Sequence, residues 1–227
     1  MRRLQVARAC LQTCQGRGSG THCKRDNMFV FPDTERKLRR KISGFKSALA
    51  REKNTHDFIS DGRGKRYLLF SMYFVLNELD ESEEYLDWFS SEFPDDAGEP
   101  VQMFCWSLIL YRMNQEIKAR KKQAETMMAN LYLIPNVLGE DVQEYDIWHS
   151  SNFAGIDYVD ELPHEVRSKI TKDEIQWLAE QYESFEFRRI RKRFIGIYHS
   201  LKHERAFDVR SRLIDESHDL LNILSQR

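Results

Sequence analysis

Residues that reverse a chain are scarce here: the 227-residue sequence holds ten glycines and five prolines. Turn-rich sheet proteins use these residues at most of their reversals, so the scarcity argues for long helices instead. Long apolar runs are missing as well. The longest, MFCWSLILY at 103–111, is about half of the ~20 residues that a spanning helix needs, so no membrane span is expected. The N-terminus lacks the continuous apolar segment of a secretory signal. Cysteine is rare too, with three of the four residues inside the first 23. That pattern does not make a secreted disulfide framework, and a reducing, cytoplasmic setting is the expectation.

What is present is ordinary in amount and uneven in placement. The chain suffices for one large domain or two small ones. A formal net charge of −1 conceals 17 Lys and Arg against 6 Asp and Glu in residues 1–66, and 18 against 30 in the remainder. Ten acids and no Lys or Arg occupy the stretch from Glu78 to Glu99. Such polarity suggests contact between the two regions, or opposed surfaces, rather than nucleic-acid binding by the whole molecule.

Residues 1–27 are Arg-rich, carry no acid before Asp26 and include a GRGSG break. A flexible basic tail, or an upstream start ahead of a natural one at Met28, fits this composition. A basic, acid-poor targeting peptide also fits. So does a metal site built from Cys10, Cys14, His22 and Cys23, although adjacent His22 and Cys23 would crowd one tetrahedral centre. The tail reading is adopted, with 28–227 as a single helical domain and no metal or other cofactor.

From Asp33, a candidate cap, Leu38, Ile42, Phe45 and Leu49 recur at helical steps. Residues 65–77, KRYLLFSMYFVLN, are too apolar for a helix with one wet face, so burial on more than one side is expected. ELDE reads as a turn before SEEYLDWFSSEF, whose Tyr85, Leu86, Trp88, Phe89 and Phe93 form a stripe. PDDAGEP then ends the hairpin. A second pair follows in VQMFCWSLILYRM and EIKARKKQAETMMANLY, with Cys105 and Trp106 read as core and LIPNVLG closing it. The two hairpins, at about 65–139, recur near the ~34-residue period of tetratricopeptide repeats. After a long aromatic-studded loop, Pro163 marks a helix start and Thr171 with Glu174 a capping box. The C-terminal helices are expected at about 162–225, with a break near Ser184.

The stretch from DGRGKRYLL to LIPNVLG, extended to WHSSN, resembles an uncharacterised bacterial family of tetratricopeptide-repeat-like proteins. In that family an RY-initiated hairpin precedes an FPDD-type turn. The resemblance implies stacked helical hairpins and attaches no reaction to them. The chain departs from the general repeat consensus in having no glycine in the first helix of either pair and Tyr85 and Leu86 after ELDE.

SDGRGKRYLL at 60–69 is the segment most suggestive of chemistry. A P-loop needs G-x-x-x-x-G-K and then Ser or Thr, so that a hydroxyl reaches the metal. Here Gly62 and Gly64 are two apart, and Arg66 follows Lys65. Asp61 therefore reads as a helix cap. His199 and His203 stand at i and i+4, so both could face one way and share a metal, but the glutamate of a hydrolytic zinc motif is missing and a solvated or interface pair is the reading adopted. FRRIRKRF at 187–194 should turn Phe187, Ile190 and Phe194 inward and pair its bases with the acidic first hairpin. Adjacent His149 and Ser150 cannot form a nucleophile–base pair in line.

The overall expectation is an all-α protein: a short α-solenoid of tetratricopeptide-like hairpins closed by C-terminal helices. It is expected to bind a protein or peptide partner without catalysis, on the inner helices of the hairpins. Arg66, Tyr67, Asn130, Trp148, His149 and Asn152 are the candidate binding residues. Arg66 and Asn130 could equally hold backbone carbonyls and brace the hairpins. A nucleic-acid-associated factor is the alternative, and it needs 36–66 and 188–193 to form one surface. An enzyme needs His56, His149 or the His199/His203 pair gathered with carboxylates. Because apolar periodicity ends at Leu11 and resumes beyond the GRGSG break, a chain starting at Met28 is expected to unfold in urea at the midpoint of the full chain, with or without zinc. A lower midpoint in the shortened chain would show that the tail stabilises the fold.

Overall fold

The computed structural model of the protein describes residues 29–225. The tail and its Cys10, Cys14, His22 and Cys23 lie outside the described residues. The chain divides into two units between Phe31 and Pro32, and everything below concerns the second. Among the described residues there are ten α-helices, three 3-10 segments and no strand. No helix among them is long and apolar enough to cross a membrane.

Helix α1 (Glu35–His56) starts where the Thr34 hydroxyl accepts the Lys37 N–H. The cap is thus Thr34 and not Asp33, which instead pairs with the Lys37 ammonium one turn on. Leu38, Ile42 and Leu49 are buried. They face helix α2 (Lys65–Leu76), against which α1 lies. Helix α2 buries six consecutive residues, Leu69 to Phe74. Six in a row exceeds one helical face, as expected for an element enclosed by α1 on one side and by helices α4 (Pro100–Arg112) and α7 (His164–Lys169) on others.

Asn77, at φ 58, turns the chain into helix α3 (Leu79–Glu92). ELDE is therefore the cap and first turn of α3 rather than a loop. Its acids suit the positive end of the helix dipole, which explains why a polar run is helical here. Tyr85 and Phe89 of α3 meet Phe70 of α2 edge-on at 5.1 and 4.9 Å. Helix α4 buries ten of its thirteen residues, including Cys105, whose thiol burial pushes up to about 12.

Helix α5 (Glu116–Ala129) returns along α4 with Ala119 and Ala124 fully buried. Small side chains there allow close approach, and the Ser107 hydroxyl donates across the seam to Gln123 Oε1 at 2.7 Å. The helix stops at Ala129 because Asn130 is extended. LIPNVLG then forms a further helix, α6 (Leu133–Leu138), and not merely a closing turn. A long segment with 3-10 turns at Asn152–Ala154 and Ile156–Glu161 leads to α7. Helices α8 (Lys172–Glu183), α9 (Phe185–His203) and α10 (Phe207–Asp219) follow. Ser184 separates α8 from α9 and caps the latter, its hydroxyl accepting from the Phe187 N–H. Phe187, Ile190 and Phe194 are buried with Met127, Tyr132 and Tyr182 in a C-terminal core.

Charge pairing differs from the expectation at one point. Two of the five bases of 187–194 are held by neighbours, Arg191 by Glu183 and Arg193 by Glu216. The acidic hairpin instead meets α1, through Arg39 with Glu78 and Lys53 with Glu92. Sequence polarity named the right regions but could not order their neighbours.

The C-terminal helices are fastened to the hairpins through Arg112. Its Nε donates to Glu174 Oε1 at 2.7 Å. Nη1 donates to the Phe74 carbonyl and to Asn77 Oδ1, both at 2.9 Å, and Nη2 to the Lys169 carbonyl at 3.1 Å. Glu174 closes the capping box, accepting the Thr171 N–H at 2.7 Å while its own N–H donates to Thr171 Oγ1. The glutamate side chain is 2% exposed, and the guanidinium is its charged partner. Arg112→Met should therefore lower unfolding free energy in urea by about 3–5 kcal/mol, the cost of a buried charge left without its partner. Adding Glu174→Gln should recover part of the loss. An unchanged midpoint in the single variant would show that water reaches the site.

Candidate functional site

The turn before α2 supplies its own anion. The Asp61 carboxylate, with no exposed side-chain surface, accepts the backbone N–H of Lys65 at 3.0 Å and of Arg66 at 2.8 Å. Gly64, at φ +63, is the formal cap, and Asp61 reaches the helix end from three residues earlier. A phosphate at this positive helix end would have to displace a carboxylate already bonded there.

Arg66 and Tyr67 belong to the same corner. Arg66 Nε donates to Asp96 Oδ2 at 3.0 Å and Nη2 to the Tyr67 hydroxyl at 2.8 Å. That hydroxyl donates to Asp96 Oδ1 at 2.7 Å, and Asp96 also accepts the Gly98 N–H. Burial, then Asp96, pushes the Tyr67 hydroxyl up to about 12, so it remains a donor at neutral pH. The guanidinium lies over the Tyr67 and Phe93 rings at 4.4 and 4.9 Å. The network ties the turn after α3 back to the start of α2.

Asn130 makes every hydrogen bond its amide can make. Nδ2 donates to the Phe153 and Gly155 carbonyls at 2.6 and 3.0 Å. Oδ1 accepts the Tyr132 and Leu133 N–H groups at 2.9 and 2.8 Å. The side chain thus caps α6 and holds the long segment, and the residue is 1% exposed. His149 is half-buried, with Nε2 3.5 Å from the Tyr132 hydroxyl. Asn152 is exposed at the next 3-10 turn. Trp148 lies against α9 instead. Its backbone N–H donates to the Tyr198 carbonyl at 3.0 Å, its ring stacks on Tyr198, and Arg210 covers the ring at 5.0 Å.

The six candidates therefore fall into separate settings: Arg66 and Tyr67 at the start of α2, Asn130 and His149 around Tyr132 with Asn152 just beyond, and Trp148 on α9. His56 closes α1 beside Phe58.

An open groove of about 360 Å³ lies elsewhere, over α4. Trp106 and Leu110 supply its apolar lining, Glu83 and Asp87 of α3 line one side, and Lys118 and Lys121 of α5 line another, where Lys122 and Glu125 pair with each other. Trp106 is half-buried and not wholly core as the sequence suggested. Its ring contacts Phe70 at 5.1 Å and carries the Lys122 ammonium at 4.1 Å. A second depression, about 420 Å³, lies along α1 around Arg40 and Gly44, where a single helix lines nearly all of it. The available signal for the groove was the KARKK run on one helix and the acids of another. Periodicity assigns faces within a helix and does not say which faces adjoin.

Compared with known proteins, the chain matches no family model, no curated protein and no solved structure.

If Asn130 is a brace, Asn130→Ala should leave several buried backbone groups without partners, at about 1–3 kcal/mol each before relaxation. The expected result is a urea midpoint lowered by the equivalent of at least ~2 kcal/mol, with helicity retained. A variant as stable as the parent would mean that water replaces the amide, leaving the position open for a ligand.

Proposed function

We propose that the protein is a non-catalytic helical scaffold, with α2/α3 and α4/α5 as tetratricopeptide-like hairpins, that holds a peptide segment of a protein partner in the groove over α4. The observation that carries this reading is the combination of an apolar, aromatic floor with walls of opposite charge. Such a groove suits an amphipathic segment whose apolar side chain rests on Trp106, with a base toward Glu83 and Asp87 and an acid toward Lys118 and Lys121. Tryptophan on a groove floor gives contact area at little entropic cost, and the charged walls favour one orientation.

This reading moves the binding face from the first helices of the hairpins to the groove that α4 shares with the second ones. Helix α2 is enclosed, and Arg66 and Asn130 have internal partners. A nucleic-acid reading has less support. Arg39, Lys53, Arg66, Arg191 and Arg193 each pair with an acid of the fold. Helix α1 lies on α2, whereas α9 lies on α5, α8 and α10.

The test is capture of partners from the source cells on the immobilised full chain, followed by binding of the captured segment as a synthetic peptide. Lys118→Glu with Lys121→Glu should weaken that peptide at least tenfold. Stability should shift by less than about 0.5 kcal/mol, because both side chains are exposed. A peptide bound equally well by this double variant and by Glu83→Lys with Asp87→Lys would place the binding face elsewhere.

A further inference from the structure

His199 and His203 stand one turn apart on α9 with ring centroids 5.3 Å apart. The fold adds a third group that no local spacing announces. Asp146, from the segment after α6, lies beside them, and one ligand atom from each of the three falls within 4.8 Å of the others. His199 Nε2 is already 3.7 Å from Asp146 Oδ2. We propose that Asp146, His199 and His203 form a binding site for a divalent transition metal of the zinc class.

The donor set is what such a metal takes. Two neutral imidazoles and one carboxylate suit Zn²⁺ and its neighbours, whereas Mg²⁺ and Ca²⁺ prefer oxygen alone. Ligand atoms bound to one zinc at ~2.1 Å lie roughly 3.4 Å apart, so closing from 4.8 Å needs up to about 1.4 Å of adjustment. Side chains 55% exposed at His199 and 65% at Asp146 can make it by rotation. Lys202 pairs with Asp146 Oδ1. That contact leaves Oδ2 toward His199 and fixes the carboxylate as an outer-sphere partner does.

Three protein ligands leave coordination positions for water or an incoming donor, the arrangement of an exchangeable site. The segment that carries Asp146 is already attached to α9 by the Trp148 N–H to the Tyr198 carbonyl and by the stacked rings. A bound metal would add a second fastening one turn further along, at the C-terminal end of α9. The site thereby couples metal availability to the order of the segment that holds Trp148 and His149.

The test uses the full chain with Cys10, Cys14 and Cys23 replaced by Ser, so that these thiols do not compete. Cys105 is fully buried. Zinc chloride titrated into this protein in a calorimeter should bind at one equivalent. Asp146→Asn and His203→Asn should each weaken binding by at least ~10-fold, the scale on which even second-shell changes act. His56→Asn should not change it. Circular dichroism should be the same for all variants, because each position is exposed. Zinc should also slow hydrogen exchange at residues 145–149 in the parent and leave it unchanged in Asp146→Asn. Absence of saturable binding overturns the proposal. So does an Asp146→Asn variant that binds as tightly as the parent, since the histidine pair would then act alone.

Discussion

Arg112 and Glu174 form an ion pair at 2.7 Å whose side chains are 13% and 2% exposed, and the C-terminal helices lean on it. A pair so enclosed adds little net energy, because desolvation offsets most of the attraction. Its importance lies in what else the guanidinium does. It binds the Phe74 carbonyl at the end of α2 and the Lys169 carbonyl at the end of α7, and covers the Phe74 ring at 3.9 Å. Two helix ends, one part-buried at Phe74 and one exposed at Lys169, gain a partner from one side chain, and Glu174 places a third helix start against them. Hydrophobic burial holds the elements together, whereas this junction specifies which ends meet.

Asn130 plays the matching part on the other side of α5, with four directed bonds to a cap and a passing segment. Tyr158 repeats the device at the start of α4. Its hydroxyl donates to Glu99 Oε1 at 2.7 Å and lies 3.3 Å from the Val101 N–H. Burial raises the Glu99 carboxyl above its ordinary range, and the tyrosine hydroxyl counters part of that shift. In each case a polar side chain completes a helix terminus and docks a distant segment in the same act. With few glycines available, several reversals place Asp57, Asp61, Asn77 and Asn114 at positive φ beside Gly64, Gly98 and Gly139, and side-chain bonds such as these add to the backbone turns.

The helices themselves were legible because their causes are local. The Leu38–Ile42–Leu49 stripe, the Thr171 and Glu174 capping box and the apolar excess of 65–77 all act within one element. The burial of α2 on several sides followed from composition alone. The errors arose where tertiary contacts reassign a locally ambiguous run. ELDE is polar enough for a turn, yet it begins α3 because Asn77 takes the left-handed reversal first. LIPNVLG carries Pro135 and Gly139, yet it forms a helix because Asn130 caps it. Trp106 reads as core from its neighbours, and its half-exposure depends on how far α3 and α5 stand from each other across α4.

The same reasoning separates residues that look functional from those with capacity left over. Arg66, Tyr67 and Asn130 attracted attention as polar residues at hairpin ends, and polar residues at such ends have structural work to do, since helix termini need partners. The groove over α4 differs because its charged walls are not required to complete any helix end. Glu83 accepts the Gln115 amide N–H at 3.0 Å, and Trp106 in the floor is half-exposed. Asp146 and the α9 histidines also converge, within 4.8 Å of one another, with Asp146 tied to α9 through Lys202 and no buried group requiring the cluster there. Binding capacity in this fold is therefore best sought where side chains converge without a structural debt to one another, which points to the groove for a partner and to the α9 histidines for a metal.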